Sequence, residues 1–276
     1  MSRLRHKRFS IGVGGDDMAV VDAASMRLLT ALPLAEYLPG AASPATADWT
    51  PSLEALLAQG GVPDSAELVL TVSDAWTRYF MLVIPAGVGS LAELRMLAAG
   101  RFETLFGTPA DGWELSADWK STGRVLVCAM PARLVEVAHV IAEASHWRLR
   151  SIQPHALRLL NTFQTQIPDE CWLCCFAARA VVAMLITGGE VQHVRRFPFA
   201  KAPTAEALNE MLEAEVLRAG LDMPAQLCAL GMLPELPADA RVGSMRLVQA
   251  KGPKIVRARP GQTAESVSLA MQGAFA

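Results

Sequence analysis

The stretch FSIGVGGDDMAVVDAASMRLLTAL, Phe9–Leu32, decides how the rest of the chain is read. It divides into three short apolar runs, Phe9–Val13, Met18–Asp22 and Met26–Leu32, joined by tight turns. Gly14-Gly15-Asp16-Asp17 supplies the first turn, where glycine tolerates positive φ without a steric penalty. The same grammar returns at CWLCCFAARAVVAMLITGGEVQHVRRF, residues 171–197. There Cys171–Ala177, Val181–Thr187 and Val191–Phe197 read as strands, and Gly188-Gly189 closes the hairpin between the last two.

Helical signals follow each triplet. Thr50-Pro51 opens a helix that ends near Gly60-Gly61, with Thr at the cap and Pro in the first turn. Ser90-Leu91-Ala92-Glu93 matches a capping box, and Leu91, Leu94, Ala98, Phe102 and Leu105 form a stripe behind it. Pro131 and Pro154 open further helices, Thr204 caps one striped by Leu208, Met211, Leu212 and Val216, and Thr263–Gly273 closes the chain. Strands are expected at Leu68–Val72, Thr77–Ile84, Arg124–Met130, Trp147–Gln153, Gln226–Leu230 and Met245–Gln249. Three strands, then helix, strand, helix, occurs twice, which predicts mixed sheets covered by helices. Two such units facing one another resemble the actin-like ATPase (ribonuclease H-like) architecture. On this reading 1–166 is the first half, 167–276 the second, and about 61–122 an α/β subdomain inserted in the first.

Bulk properties exclude several functions. Over half of the 276 residues are apolar and 19% are charged, which is ample for a continuous core. A net charge of −2 and few aromatics argue against nucleic acid, whose phosphates demand clustered Lys and Arg. Five cysteines, three of them in one apolar strand, suit a reducing compartment where buried thiols act as small hydrophobes. The longest apolar run, Cys171–Gly189, is interrupted by Arg179 and is not expected to cross a bilayer. The basic start, Arg3, Arg5, Lys7 and Arg8, lacks a following apolar segment; it reads as a solvated end, with contact to anionic lipid as the alternative.

Candidate chemistry is sparse. Cys171, Cys174 and Cys175 lack the second ligand pair that zinc needs, and alternation puts Cys174 on the opposite face from the other two. Cys128 and Cys228 have no sequence-adjacent His. His139 and His146 stand two turns apart; His155 and His193 are isolated, and Ser73-Asp74 has no evident His partner. Glu206, Glu210 and Glu213 fit a solvated helix face.

The region around the insertion carries a more specific likeness. Leu70-Thr71-Val72-Ser73-Asp74, Phe80-Met81-Leu82-Val83-Ile84-Pro85, Glu93-Leu94-Arg95, Ala99-Gly100-Arg101-Phe102 and Phe106-Gly107 resemble, in that order, the cytoplasmic part of the type II secretion L protein and the type IV pilus assembly protein PilM. Val127-Cys128-Ala129-Met130-Pro131, Ser151-Ile152-Gln153-Pro154, Asn209 to Gly220, Leu230-Gly231 and Ser266–Gly273 extend it over most of the chain. The resemblance implies a non-catalytic cytoplasmic scaffold, peripheral at the inner membrane. Its implied partners are the short cytoplasmic tail of a single-span membrane protein and other platform components. By residue type and position alone, Arg78, Phe80, Arg95 and Trp113 are the candidate tail contacts, in a groove between the first half and its insertion.

Actin-like ATPases hold phosphate on paired glycine-rich hairpins. Here Gly12, Gly14 and Gly15 keep the first loop in vestigial form, but Asp16 and Asp17 would repel phosphate. The second, Ala177-Ala178-Arg179, has lost Asp, Gly and Thr, and the adenine-facing glycine pair is reduced to Gly231-Met232. No cofactor is therefore expected, with weak ATP binding left open. The competing readings are a nucleotide-binding actin-like ATPase or kinase-like protein, and a membrane-bound polymerising actin relative.

Overall fold

The structure is a computed structural model that describes residues 7–34, 45, 47–120, 123–232, 241–249 and 265–274. The first three strands form where the turn chemistry puts them: β1 (Arg8–Val13), β2 (Asp17–Asp22) and β3 (Arg27–Pro33). α1 (Thr50–Gln59) follows, with Trp49 rather than Thr50 at the cap position and Pro51 in the first turn. β4 (Glu67–Val72) pairs parallel with β1, in register Ile11 to Leu70. With β8 (Arg148–Pro154) on its far side, the first sheet has the order β3-β2-β1-β4-β8.

The second sheet repeats this. β9 (Cys171–Phe176), β10 (Ala180–Thr187), β11 (Glu190–Pro198), β12 (Gln226–Gly231), β13 (Arg241–Val242) and β14 (Met245–Gln249) have the order β11-β10-β9-β12-β14-β13. The first five positions match the first sheet, and β13 adds a short edge. α5 (Ala205–Ala219) covers this sheet through Leu208, Leu212 and Val216. Cys174 belongs to that core, whereas Cys171 and Cys175 lie on the opposite face, the alternation expected of a strand.

A third sheet, β5-β7-β6, consists of β5 (Arg78–Ile84), β6 (Trp113–Ala117) and β7 (Gly123–Pro131), backed by α2 (Leu91–Phe106). The capping box at its start is present, with Ser90 and Glu93 satisfying each other's backbone N–H groups. Leu94, Ala98 and Phe102 are buried, but Leu91 and Leu105 are exposed, so the apolar stripe is narrower than its spacing suggested. The limits 61–122 do not describe this unit. They take in β4, an almost fully buried strand of the first sheet, and omit β7, the middle strand of the small one. Buried strands read as apolar runs whichever sheet they join, so composition could not separate parallel β4 from antiparallel β7. Trp113 begins β6.

Two helices cross between halves. α4 (His155–Phe163) follows β8 and reaches β9, and α6 (Glu265–Ala274) follows the second sheet yet lies on β1, β2 and β4 of the first. One apolar core accordingly runs from Ile11, Leu70 and Leu134 into Cys171, Leu173 and Met184. α3 (Ala132–Ala144) packs Leu134, Val137 and Ile141 into the same core.

Candidate functional site at the interlobe cleft

The hairpin after β1 and the hairpin after β9 meet where a triphosphate would lie in a nucleotide-binding relative of this architecture. The occupant here is the chain's own Glu265, the first residue of α6. One carboxylate oxygen accepts from the Gly15 N–H at 2.8 Å; the other accepts from Ser73 Oγ at 2.9 Å and from the Ala178 N–H at 3.3 Å. Gly15 and Ser73 belong to the first half and Ala178 to the second, so one side chain joins both. The second loop, expected to be useless without Asp, Gly or Thr, thus still offers a backbone donor.

α6 approaches so closely because the facing positions are small. A Cβ at Gly12 would overlap the Ser266 carbonyl oxygen, and one at Gly273 would overlap Ser10 Oγ. Gly12 therefore admits a helix; it does not face an open phosphate space. Asp17 turns toward α6, where Ser266 Oγ donates to it at 2.5 Å and the Ser266 N–H at 3.4 Å. A carboxylate at a helix N-terminus is favourably placed against the partial positive charge of the first-turn N–H groups. Asp16 forms an exposed ion pair with Arg179 at 2.7 Å, again across the two hairpins. Trp76 Nε1 donates to the Gly14 carbonyl at 2.5 Å and closes the loop from the side. Gly231 lies at φ +90°, and a Cβ there would overlap the Phe176 carbonyl, which accepts from the Met232 N–H at 2.8 Å. That glycine turn is packed onto β9 and presents no open face for a base.

These residues do not fit a bound triphosphate. The Gly15, Ser73 and Ala178 donors of both loops are already engaged by an anion, and α6 covers the glycine that would admit the phosphates. Among the described residues there is also no cluster of His, Cys, Asp and Glu able to hold a metal ion.

Beneath the cleft lies a buried polar network that spacing alone had hidden. Asp74, expected to lack a histidine, has His155 Nδ1 at 2.9 Å and accepts from Tyr79 Oη at 2.5 Å and the Ala156 N–H at 3.2 Å. All four residues are buried. Burial, reinforced by the Asp74 charge, pushes the Tyr79 phenol and the Cys128 thiol well above their ordinary values. The network joins the turn between β4 and β5, β5 itself and α4, and its lack of solvent access suits a structural joint.

The four expected tail contacts do not form one surface. Phe80 is 3% exposed and packs against Phe102 and Phe106. Trp113 is half-buried on Phe102, with the Arg78 guanidinium 5.3 Å from its ring centroid. Arg95 is exposed on α2. The groove between the first half and the small sheet is instead a cavity of about 590 Å³, lined by Arg124, Met130, Leu157, Leu160 and Asn161 among others. Lys120 and Glu190 form an ion pair of 3.3 Å among its lining residues. Residues 1–6 lie outside the described residues, and with them Arg3 and Arg5 of the basic start.

Sheet order, the exchanged helices and the paired hairpins together identify the architecture. The fold is actin-like. It is similar over 98% of this chain and 98% of the other to a chain of the PilM–PilN type IV pilus biogenesis complex, with a TM-score of 0.58 at 14% identity. The cytoplasmic domain of EpsL, an inner-membrane component of the type II secretion system of Vibrio cholerae, matches over 98% and 94% of the two chains, with a TM-score of 0.52 at 13% identity. A Bacteroides thetaiotaomicron protein with an actin-like ATPase fold matches over 85% and 87%, with a TM-score of 0.53 at 10% identity. No protein-family model and no curated protein matches the chain. No helix among the described residues of this actin-like chain is long and apolar enough to cross a membrane.

Proposed function

We propose that this actin-like chain is a non-catalytic scaffold on the cytoplasmic side of a type IV pilus or type II secretion inner-membrane platform. The observation that carries this reading is Glu265 in the phosphate cradle: on a fold also found in PilM–PilN and in EpsL, it leaves the chain a shaped surface without a nucleotide-driven cycle. The partner is the short cytoplasmic tail of a single-span membrane protein. The groove of about 590 Å³ takes it, because it combines apolar walls (Leu157, Leu160, Met130) with polar groups able to fix an extended backbone (Arg124, Asn161, Gln153). This moves the proposed tail site away from Arg78, Phe80, Arg95 and Trp113.

The test is a calorimetric titration with the tail of a single-span platform protein encoded beside this chain. Leu157→Glu and Arg124→Glu should each weaken binding about tenfold or more, as expected for a central contact, while Arg95→Glu on the outer face of α2 leaves it unchanged. Equal affinity for all four proteins would reject the groove. Turnover of ATP by the purified chain, abolished by Gly15→Val, would reject the non-catalytic reading.

A further inference from the structure

A second cleft, of about 510 Å³, lies between β5 and β11, the facing edges of the small sheet and the second sheet, with α2 along one side. Four arginines line it: Arg78 from β5, Arg101 from α2, and Arg195 and Arg196 from β11. None of the four forms an ion pair among the described residues. The one carboxylate in the lining, Glu215, is already taken: His193 Nε2 lies 2.9 Å from it and Arg218 pairs with it.

The guanidinium groups are also short of hydrogen-bond acceptors. Arg78 donates to the Thr77 carbonyl at 3.0 Å and rests on Trp113, which leaves most of its five N–H donors for something else. Arg196 Nε is buried and has no partner. Burial lowers the Arg78 pKa, and the neighbouring Arg196 charge lowers it further. Gathering like charges in a recessed cleft works against folding, so its persistence points to a counter-charge supplied from outside the chain. Planar guanidinium forks suit carboxylates bidentately.

We propose that this cleft binds an acidic, extended polypeptide segment of a partner, its Asp and Glu carboxylates entering between β5 and β11. A polypeptide fits better than a bilayer because the arginines are set back between two strand edges and not spread on a flat face. It fits better than nucleic acid because the aromatics beside the arginines offer no free face for a base: Tyr79 and Phe80 are buried, Phe106 packs on Phe80 and Phe102, and Trp113 is covered by Arg78 and packed on Phe102. The inference rests on the scaffold reading for the existence of a partner, but concerns a different surface from the tail groove.

The experiment follows fluorescence polarisation of a short labelled peptide of alternating Glu and Ser, with its Gln–Ser counterpart as control. The variant is Arg101→Glu with Arg195→Glu, both exposed positions whose change should leave the fold intact. The wild type should bind the acidic peptide, with affinity falling steeply as salt rises, and bind the Gln peptide at least about tenfold more weakly. The double variant should lose about tenfold or more for the acidic peptide. Equal binding of both peptides, an unaltered double variant, or no acidic-peptide binding at roughly millimolar concentration would overturn the proposal. So would phosphatidylglycerol vesicles binding through the same two arginines while the peptide does not. Because this probe needs no platform protein, failure of the tail titration leaves its result intact.

Discussion

Replacing Glu265 by alanine removes a carboxylate that bonds to both hairpins. Three bonds go, to Gly15 N at 2.8 Å, Ser73 Oγ at 2.9 Å and Ala178 N at 3.3 Å. A hydrogen bond to an ionised group contributes about 1.5–3 kcal/mol net, and this site is only part-buried, so two short bonds and one long one together suggest about 3 kcal/mol. For a chain of this size each kcal/mol shifts the melting temperature by roughly 2–4 °C, which predicts a fall of about 6–12 °C in calorimetry. Sodium formate restores the missing carboxylate in free form. It should raise the melting temperature of the variant and not of the wild type, whereas sodium chloride at equal ionic strength should do neither, since only a species that binds the folded state stabilises it. A variant that melts within about 1 °C of the wild type would show that the carboxylate merely rests in the cradle. A wild type stabilised by ATP and Mg²⁺ would show that the cradle still accepts phosphate.

Other consequences follow from particular contacts. Gly12→Ala should cost about 3 kcal/mol in thermal unfolding, because its Cβ meets the α6 backbone, which cannot yield as a flexible side chain would. Gly100→Ala should instead stabilise by about 0.5–1 kcal/mol, since it lies inside α2 with open space around it. All five thiols are buried, with Cys228 pushed up to about 11 and Cys171 to about 12 by burial. A disulfide reagent near pH 8 should therefore label none in the native state and all five on unfolding; rapid labelling of even one would contradict the packing. Backbone N–H groups of Gly89 and Ser90 hold the Glu93 carboxyl below its ordinary value. A depressed folded-state pKa gives stability that is present above the ordinary Glu value and lost as pH falls through the folded one. The difference in melting temperature between wild type and Glu93→Gln should therefore shrink below about pH 4, and a difference independent of pH would reject the capping assignment.

The elements were legible where their signals are local. The two strand triplets, the Ser90 capping box, the Thr204 cap and the alternation of Cys171, Cys174 and Cys175 all rest on neighbours within a few positions. β6 escaped although Trp113–Ala117 alternates regularly, because it is only five residues long and carries Glu and Ala, which are poor strand formers. Phe80 and Trp113 were read as contacts by residue type, yet aromatics in a small unit are first needed to fill its core. The first hairpin was read from its glycines as a phosphate loop in vestigial form; that α6 presses on Gly12 was not legible, because nothing nearby in sequence says that a helix will come there.

What the amino-acid order alone determined was the repeated strand–turn–helix grammar, since turn geometry, capping and periodicity act over a few residues. Only the tertiary structure decided which sheet each strand joins, and that Glu265 fills the cradle 250 positions from Gly15. It also decided that His155 meets Asp74 across 81 positions, and that four arginines share one cleft. Those outcomes depend on crossing helices and facing sheet edges. The free energy of such contacts comes from burial and charge between segments that are strangers along the chain.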